Sequence, residues 1–126
     1  MASAKLTERE PLAQQERWRQ VFNLAQDLHC LAGVDGYFKQ LNPAWERVLG
    51  YSRAELMGRP YIELVHPDDV EATLSEAGRL TEGVQSVLFE NRYRCKDGSY
   101  KWLEWRGSPA SDGLIYAIAR DISGWV

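Results

Sequence analysis

Glu90 and Glu104, or the adjacent pair Asp68 and Asp69, are the carboxylates that could be imagined as an acid/base pair. Asp68-Asp69 follows His66-Pro67 at what reads as a helix start. Two carboxylates beside the positive end of a helix dipole are explained by that dipole. No serine, cysteine or lysine stands in recognisable register with a base, so no catalytic centre is nominated and a non-enzymatic domain is expected. Cys30 and Cys95 are too few for a disulfide scaffold and too far apart in sequence for a metal knuckle. They read as two small buried apolar side chains, and no metal site is expected. An axial haem ligand would have to come from His29, His66, Met57 or these cysteines.

The elements that would hold these residues form one domain of 126 residues. The hydrophobic fraction of 44% and charged fraction of 26% are those of an ordinary globular protein. A net charge of -3 with both signs interspersed leaves no footprint for nucleic acid or an anionic membrane. No apolar run is long enough to span a bilayer, and the N-terminus lacks a secretory pattern. A cytoplasmic module is the default expectation, with any membrane anchor elsewhere in a longer protein.

The stretch Phe89 to Arg106 organises the rest. Two runs rich in aromatic and β-favouring residues flank Asp97-Gly98, the dipeptide of a two-residue type I′ turn. That turn sets Lys96 against Ser99, Cys95 against Tyr100, Tyr93 against Trp102, Asn91 against Glu104 and Phe89 against Arg106. The other face then pairs Arg94 with Lys101, Arg92 with Leu103 and Glu90 with Trp105. Each face carries a large aromatic residue, so both faces need cover.

Residues 1–10 are small, polar and charged and are expected to be loose. From Pro11 to about Asp27, Leu12, Trp18, Val21, Phe22 and Ala25 make one apolar stripe of an amphipathic helix. The helix either covers its own domain or continues a dimerising, signalling helix. Leu28–Val34 and Tyr37–Leu41 read as strands joined at Asp35-Gly36. Asn42-Pro43 starts a helix, with Asn42 as its cap and Ala44, Trp45, Val48 and Leu49 on its buried side. Ser52 to Glu55 form a capping box for a second short helix, closed by Gly58. Tyr61 to Val65 add a turn. The helix after His66 buries Val70, Leu74, Ala77 and Leu80 and ends at Gly83. A last strand from about Leu114 to Ile122 follows a third Asp-Gly turn at Asp112-Gly113. Hairpins with helices gathered between them indicate an α+β arrangement around one antiparallel sheet.

From Leu24 to Ser123 the chain resembles the PAS family of sensory domains, with its PAC motif. The resemblance rests on Asp35-Gly36, Asn42-Pro43-Ala44, Gly50-Tyr51-Ser52 with Glu55-Leu56 and Gly58-Arg59, and His66-Pro67-Asp68-Asp69. It continues in Arg92 with Lys96-Asp97-Gly98-Ser99 and Trp102, and ends in Arg120-Asp121-Ile122-Ser123. It implies a PAS domain over 28–126, a five-stranded antiparallel sheet of order 2-1-5-4-3, and short helices packed on one face around a ligand cavity. The N-terminal helix or a second subunit would cover the other face. Cys30 and Cys95 would then not be neighbours, so no disulfide is expected.

For such a cavity the ligand contacts nominated are Trp45, Tyr61, Arg92, Tyr93 and Trp102, with an unidentified small molecule as ligand. Core or sheet packing is the competing role of Trp45, Tyr93, Trp102 and Trp105, and a surface ion pair with Glu90 or Glu104 that of Arg92. Haem is not expected, because the helix from Pro67 to Glu82, where haem-binding relatives carry their ligand, has no histidine. Covalent flavin is not expected either. The photoreceptor branch carries its cysteine in an Asn-Cys-Arg-Phe-Leu-Gln motif, and the corresponding GYSRAELMGRP has none. The resemblance implies a sensor or interaction domain of a larger signalling protein, of histidine kinase or diguanylate cyclase type. It would form a homodimer through the N-terminal helix and pass its signal to a neighbouring output domain through Arg120, Asp121 and Ile122. The alternative is a structural dimerisation module with a filled core and no ligand.

Overall fold

A computed structural model describes residues 2–109 and 112–125. The chain runs α1 (Ala2–Leu24), β1 (Leu28–Gly33), β2 (Phe38–Leu41), α2 (Ala44–Leu49) and α3 (Arg53–Met57). Two 3-10 turns, Tyr61–Leu64 and Pro67–Asp69, lead into α4 (Val70–Thr81). Then come β3 (Ser86–Arg94), β4 (Tyr100–Pro109), β5 (Leu114–Asp121) and a final 3-10 turn, Ser123–Trp125. The five strands form one antiparallel sheet in the order β2-β1-β5-β4-β3, as the resemblance implies.

The central hairpin departs from its expected register. Gly98, at φ 92°, donates its N–H to Cys95 O at 3.0 Å, and Cys95 N–H bonds to Ser99 O at 2.7 Å. This is a three-residue loop, a turn followed by a left-handed glycine, and not the two-residue type I′ loop. Including Lys96 in the loop slides the pairing by one residue. Tyr93 therefore faces Lys101, Arg92 faces Trp102, Asn91 faces Leu103, Glu90 faces Glu104 and Phe89 faces Trp105. Asp35-Gly36 repeats the same closure, with Gly36 N–H on Gly33 O and Gly33 N–H on Tyr37 O. Among the described residues only Asp112-Gly113 has both φ angles positive, 63° and 72°, as a type I′ pair requires.

The inner sheet face carries the core. Leu28 and Cys30 on β1, Tyr93 on β3, Leu103 and Trp105 on β4 and Ala119 on β5 are all buried. Trp45 of α2, fully buried, lies against Phe38 (4.9 Å between ring centres), Trp105 (5.9 Å) and Tyr93 (6.1 Å). α4 approaches β4 closely at Gly107, where an added Cβ would stand 3.0 Å from Leu80 Cδ1. Its buried stripe is Thr73 and Leu80, with Val70 and Ala77 half-buried, while the expected core residue Leu74 is 53% exposed. Thr73 takes the buried place at an equally helical spacing, its hydroxyl bonded to Asp69 O and receiving Asn91 Nδ2.

Asn42 does not cap α2 with its side chain. It is fully buried, its Oδ1 accepting His29 N–H at 2.9 Å and its Nδ2 donating to Asp27 O at 2.8 Å and Ala25 O at 3.3 Å. It thereby ties the α1–β1 connection to the start of α2, beside the bond from Trp45 Nε1 to His29 O at 3.0 Å. The capping box at Ser52 and Glu55 is formed as expected, with both reciprocal bonds present. α1 starts at Ala2, earlier than its apolar stripe marks, because Ala2–Glu10 is rich in strong helix formers. It ends at Leu24, short of Asp27, although Ala25 N–H still bonds to Val21 O.

Asn42→Ala would leave three part-buried backbone groups without their partner. The expected cost is about 2–4 kcal/mol in urea unfolding. A loss under about 0.5 kcal/mol, the level of an exposed surface change, would show that water replaces the amide.

Candidate functional site

Where α4 crosses the inner sheet face, the opposing side chains are small. Cys30 and Ala32 on β1, Gly107 on β4, Ala117 on β5 and Ala77 on α4 do not fill the layer. They leave a cavity of about 70 Å³, walled otherwise mainly by Phe38, Tyr61, Phe89, Tyr93 and Trp105. That is several times the ~10–15 Å³ needed by one water.

A line of hydrogen bonds crosses this apolar wall. Trp105 Nε1–H donates to Asn91 Oδ1 at 2.7 Å, Asn91 Nδ2 to Thr73 Oγ1 at 3.1 Å, and the Thr73 hydroxyl to Asp69 O at 2.7 Å. Asn91 is 1% exposed and Thr73 7%. In a low-dielectric interior such bonds are strong and fix the side chains that make them. Burial pushes the Cys30 thiol up to about 12, so it stays a thiol and not a thiolate nucleophile. Burial likewise raises Tyr93 well above the ordinary tyrosine value, with Cys30 and Tyr61 adding to the effect.

The line ends at Asp69, whose carboxylate does not serve the helix dipole as expected. It receives Arg92 in two charge-assisted bonds, Nε to Oδ2 at 2.9 Å and Nη2 to Oδ1 at 2.8 Å, and also Arg92 N–H at 2.8 Å. His66 N–H bonds to Arg92 O at 2.9 Å. The outer edge of β3 is therefore covered at Arg92, where an open edge would invite pairing with another chain. The Arg92 guanidinium lies 4.7 Å from the Trp102 ring centre, a cation–π contact on the outer face. The Arg92 hydrogen bonds, opposed by burial, hold the Asp69 carboxyl below the usual range.

Trp102 in turn carries the exit segment. Its N–H donates to Ser123 Oγ at 2.9 Å and its carbonyl accepts Ile122 N–H at 2.9 Å. Alongside, Lys101 pairs with Asp121 at 3.4 Å and Arg120 with Glu104 at 3.0 Å. On the same outer face, α1 docks by its last turns. Trp18 lies 5.7 Å from the Tyr116 ring, buried Phe22 stands edge-on to His29 at 6.2 Å, and His29 Nδ1 and Tyr116 OH are 2.8 Å apart.

Of the nominated ligand contacts, Tyr61 and Tyr93 line the cavity. Trp45 packs behind its wall, and Arg92 and Trp102 lie on the opposite sheet face. Arg92 pairs with Asp69 and not with the expected Glu90 or Glu104. On α1, Phe22 is buried, Trp18 is 40% exposed and Val21 is 61% exposed, while the Leu12 side chain lies outside the described residues; Ala25, just past the end of α1, is half-buried. Arg120, Asp121 and Ile122 are brought together beside Trp102. Sequence reasoning passed over Asn91 and Thr73. An asparagine on the same strand face as Phe89 and Tyr93 was the available signal for the first.

A family model described as PAS fold matches residues 38–118. The probable diguanylate cyclase DgcE of Escherichia coli (strain K12) is 32% identical over 74 residues, 58% of this chain and 7% of that protein. White collar 2 protein of Neurospora crassa is 35% identical over 82 residues, 63% of this chain and 15% of that protein. The chain thus spans a small part of each of these relatives. Among solved structures, the PAS domain of an HTR-like protein from Haloarcula marismortui superposes with a TM-score of 0.77 at 25% identity, covering 94% of this chain and 99% of that one. A domain of a sensory box sensor histidine kinase/response regulator from Geobacter sulfurreducens has the same fold, with a TM-score of 0.75 at 24% identity over 86% of this chain and 94% of that one.

The Asp69–Arg92 pair has a definite pH signature. A carboxyl whose folded pKa is depressed stabilises fully above its unfolded pKa, about 3.9, and loses that contribution as pH falls through the folded value. Asp69→Asn should therefore shallow the fall in Tm between about pH 5 and pH 3. Other depressed carboxylates, such as Asp35 and Asp97, keep some slope. Identical slopes in the two proteins would show that the pair contributes nothing.

Proposed function

Because the chain belongs to the PAS family, we propose that it is the sensing and relay domain of a larger signal-transduction protein, non-catalytic itself. A small molecule in the cavity would change packing at the sheet, and α1 with the exit segment would pass that bias to a neighbouring output domain. The observation that carries this reading is the unbroken line of contacts from Trp105 and Asn91 on the cavity wall through Thr73, Asp69, Arg92 and Trp102 to Ile122. The likeness to a probable diguanylate cyclase and to a sensor histidine kinase supports an output module of one of those types. Two free buried cysteines suit a cytoplasmic position.

The domain also works as a homodimer in this reading. Next to the docked Phe22, α1 leaves Trp18, Val21 and Leu24 40%, 61% and 80% exposed, apolar surface that a second copy would cover. The same surface favours the second reading, a dimerisation module that takes no ligand. Native mass spectrometry and an absorption spectrum of freshly purified protein separate the two, since a retained small molecule eliminates the ligand-free module.

Phe22→Glu puts a carboxylate into the contact with His29. The expected result is a lower sedimentation coefficient together with a loss of about 2–4 kcal/mol in unfolding. If oligomeric state and stability both stay as they were, α1 has no part in the mechanism.

A further inference from the structure

This inference rests on the cavity-sensing reading and names the chemistry of its ligand. We propose that the cavity takes a small uncharged molecule of about five heavy atoms bearing one hydroxyl or carbonyl oxygen, and that the Tyr93 hydroxyl binds that oxygen.

Tyr93 is 2% exposed, yet among the described residues its hydroxyl has no hydrogen-bond partner. A hydroxyl on the wall of a cavity still has a donor and an acceptor to offer, and a ligand oxygen can bond to it. Tyr93 lines the cavity together with Cys30 and Tyr61. The ring packs against Trp105 at 5.6 Å and Trp45 at 6.1 Å, which holds it in place.

Charge decides against ions. Glu76 is the one charged residue among those lining the cavity, and it is paired with Arg79 at 3.7 Å. An anion entering would lose its hydration and find no positive charge in the lining, only the Glu76 carboxylate. Arg92 and Arg94, the basic residues flanking Tyr93, belong to the opposite face of the strand, and Arg92 is held by both oxygens of Asp69. A cation would find Glu76 already engaged. The remaining walls offer aromatic and aliphatic surface plus neutral hydroxyl, amide and thiol groups, which suits an uncharged molecule with one polar atom.

The test uses the whole chain, with the indole N–H signals of Trp105 and Trp18 followed by NMR at pH 7. The probes are 1-butanol, butyrate and butylammonium, matched in chain and differing in charge. The expected result is a saturable shift of Trp105 with 1-butanol alone, weakened about three- to tenfold in Tyr93→Phe, which keeps the ring. Equal binding of a charged probe, no binding of 1-butanol, or unchanged affinity in Tyr93→Phe would each overturn the proposal. The relay reading fails separately. If 1-butanol moves Trp105 but leaves Trp18 and the Ile122 amide untouched, the ligand class stands and the relay does not. If butyrate moves both tryptophans, the relay stands and the ligand class does not.

Discussion

Gly98 at φ 92° closes a three-residue turn, and the register it imposes decides which side chains of β3 and β4 meet. With Arg92 opposite Trp102, the guanidinium can lie over the indole ring, while Asn91 and Trp105, diagonal neighbours on the inner face, can share a hydrogen bond. One residue of slip would set Arg92 against Leu103 and Asn91 against Glu104, losing both contacts. The two faces of the hairpin are thus specialised by a single backbone conformation, one for the cavity and one for the exit segment.

Asp69 joins those two faces. Its backbone carbonyl takes the Thr73 hydroxyl from the cavity side, and its carboxylate takes Arg92 from the outer side and the backbone of edge strand β3. The ion pair is part-buried, with side chains 25% and 15% exposed, so its worth lies less in net stability than in specifying one arrangement. A residue that bonds in both directions is a place where a change in packing on one side can be felt on the other.

Local patterns in the sequence carried most of the fold. The capping box at Ser52 and Glu55 and the family landmarks led to the right elements and sheet order. What they could not carry was anything set by a distant partner. Asn42 looks like a helix cap because asparagine before proline often is one. Its actual partners, Ala25, Asp27 and His29, lie 13 to 17 positions away. Asp69 looks like a dipole carboxylate until Arg92, 23 positions on, folds against it. Asp-Gly announces a turn without giving its length, since the left-handed glycine serves two- and three-residue loops alike.

The cavity was still less legible, because it consists of volume that Cys30, Ala32, Gly107 and Ala117 do not fill. Tyr61 and Tyr93 are legible as aromatics of the right region, whereas the face that Arg92 and Trp102 occupy depends on the register of the hairpin. The relay from cavity to exit segment is tested most directly by amide hydrogen exchange at Ile122 in a double-mutant cycle of Thr73→Val and Asp69→Asn. Thr73→Val should speed exchange at Ile122 in the parent chain and have little further effect once Asp69→Asn is present. Effects that simply add, or an Ile122 amide indifferent to Thr73→Val, would contradict it.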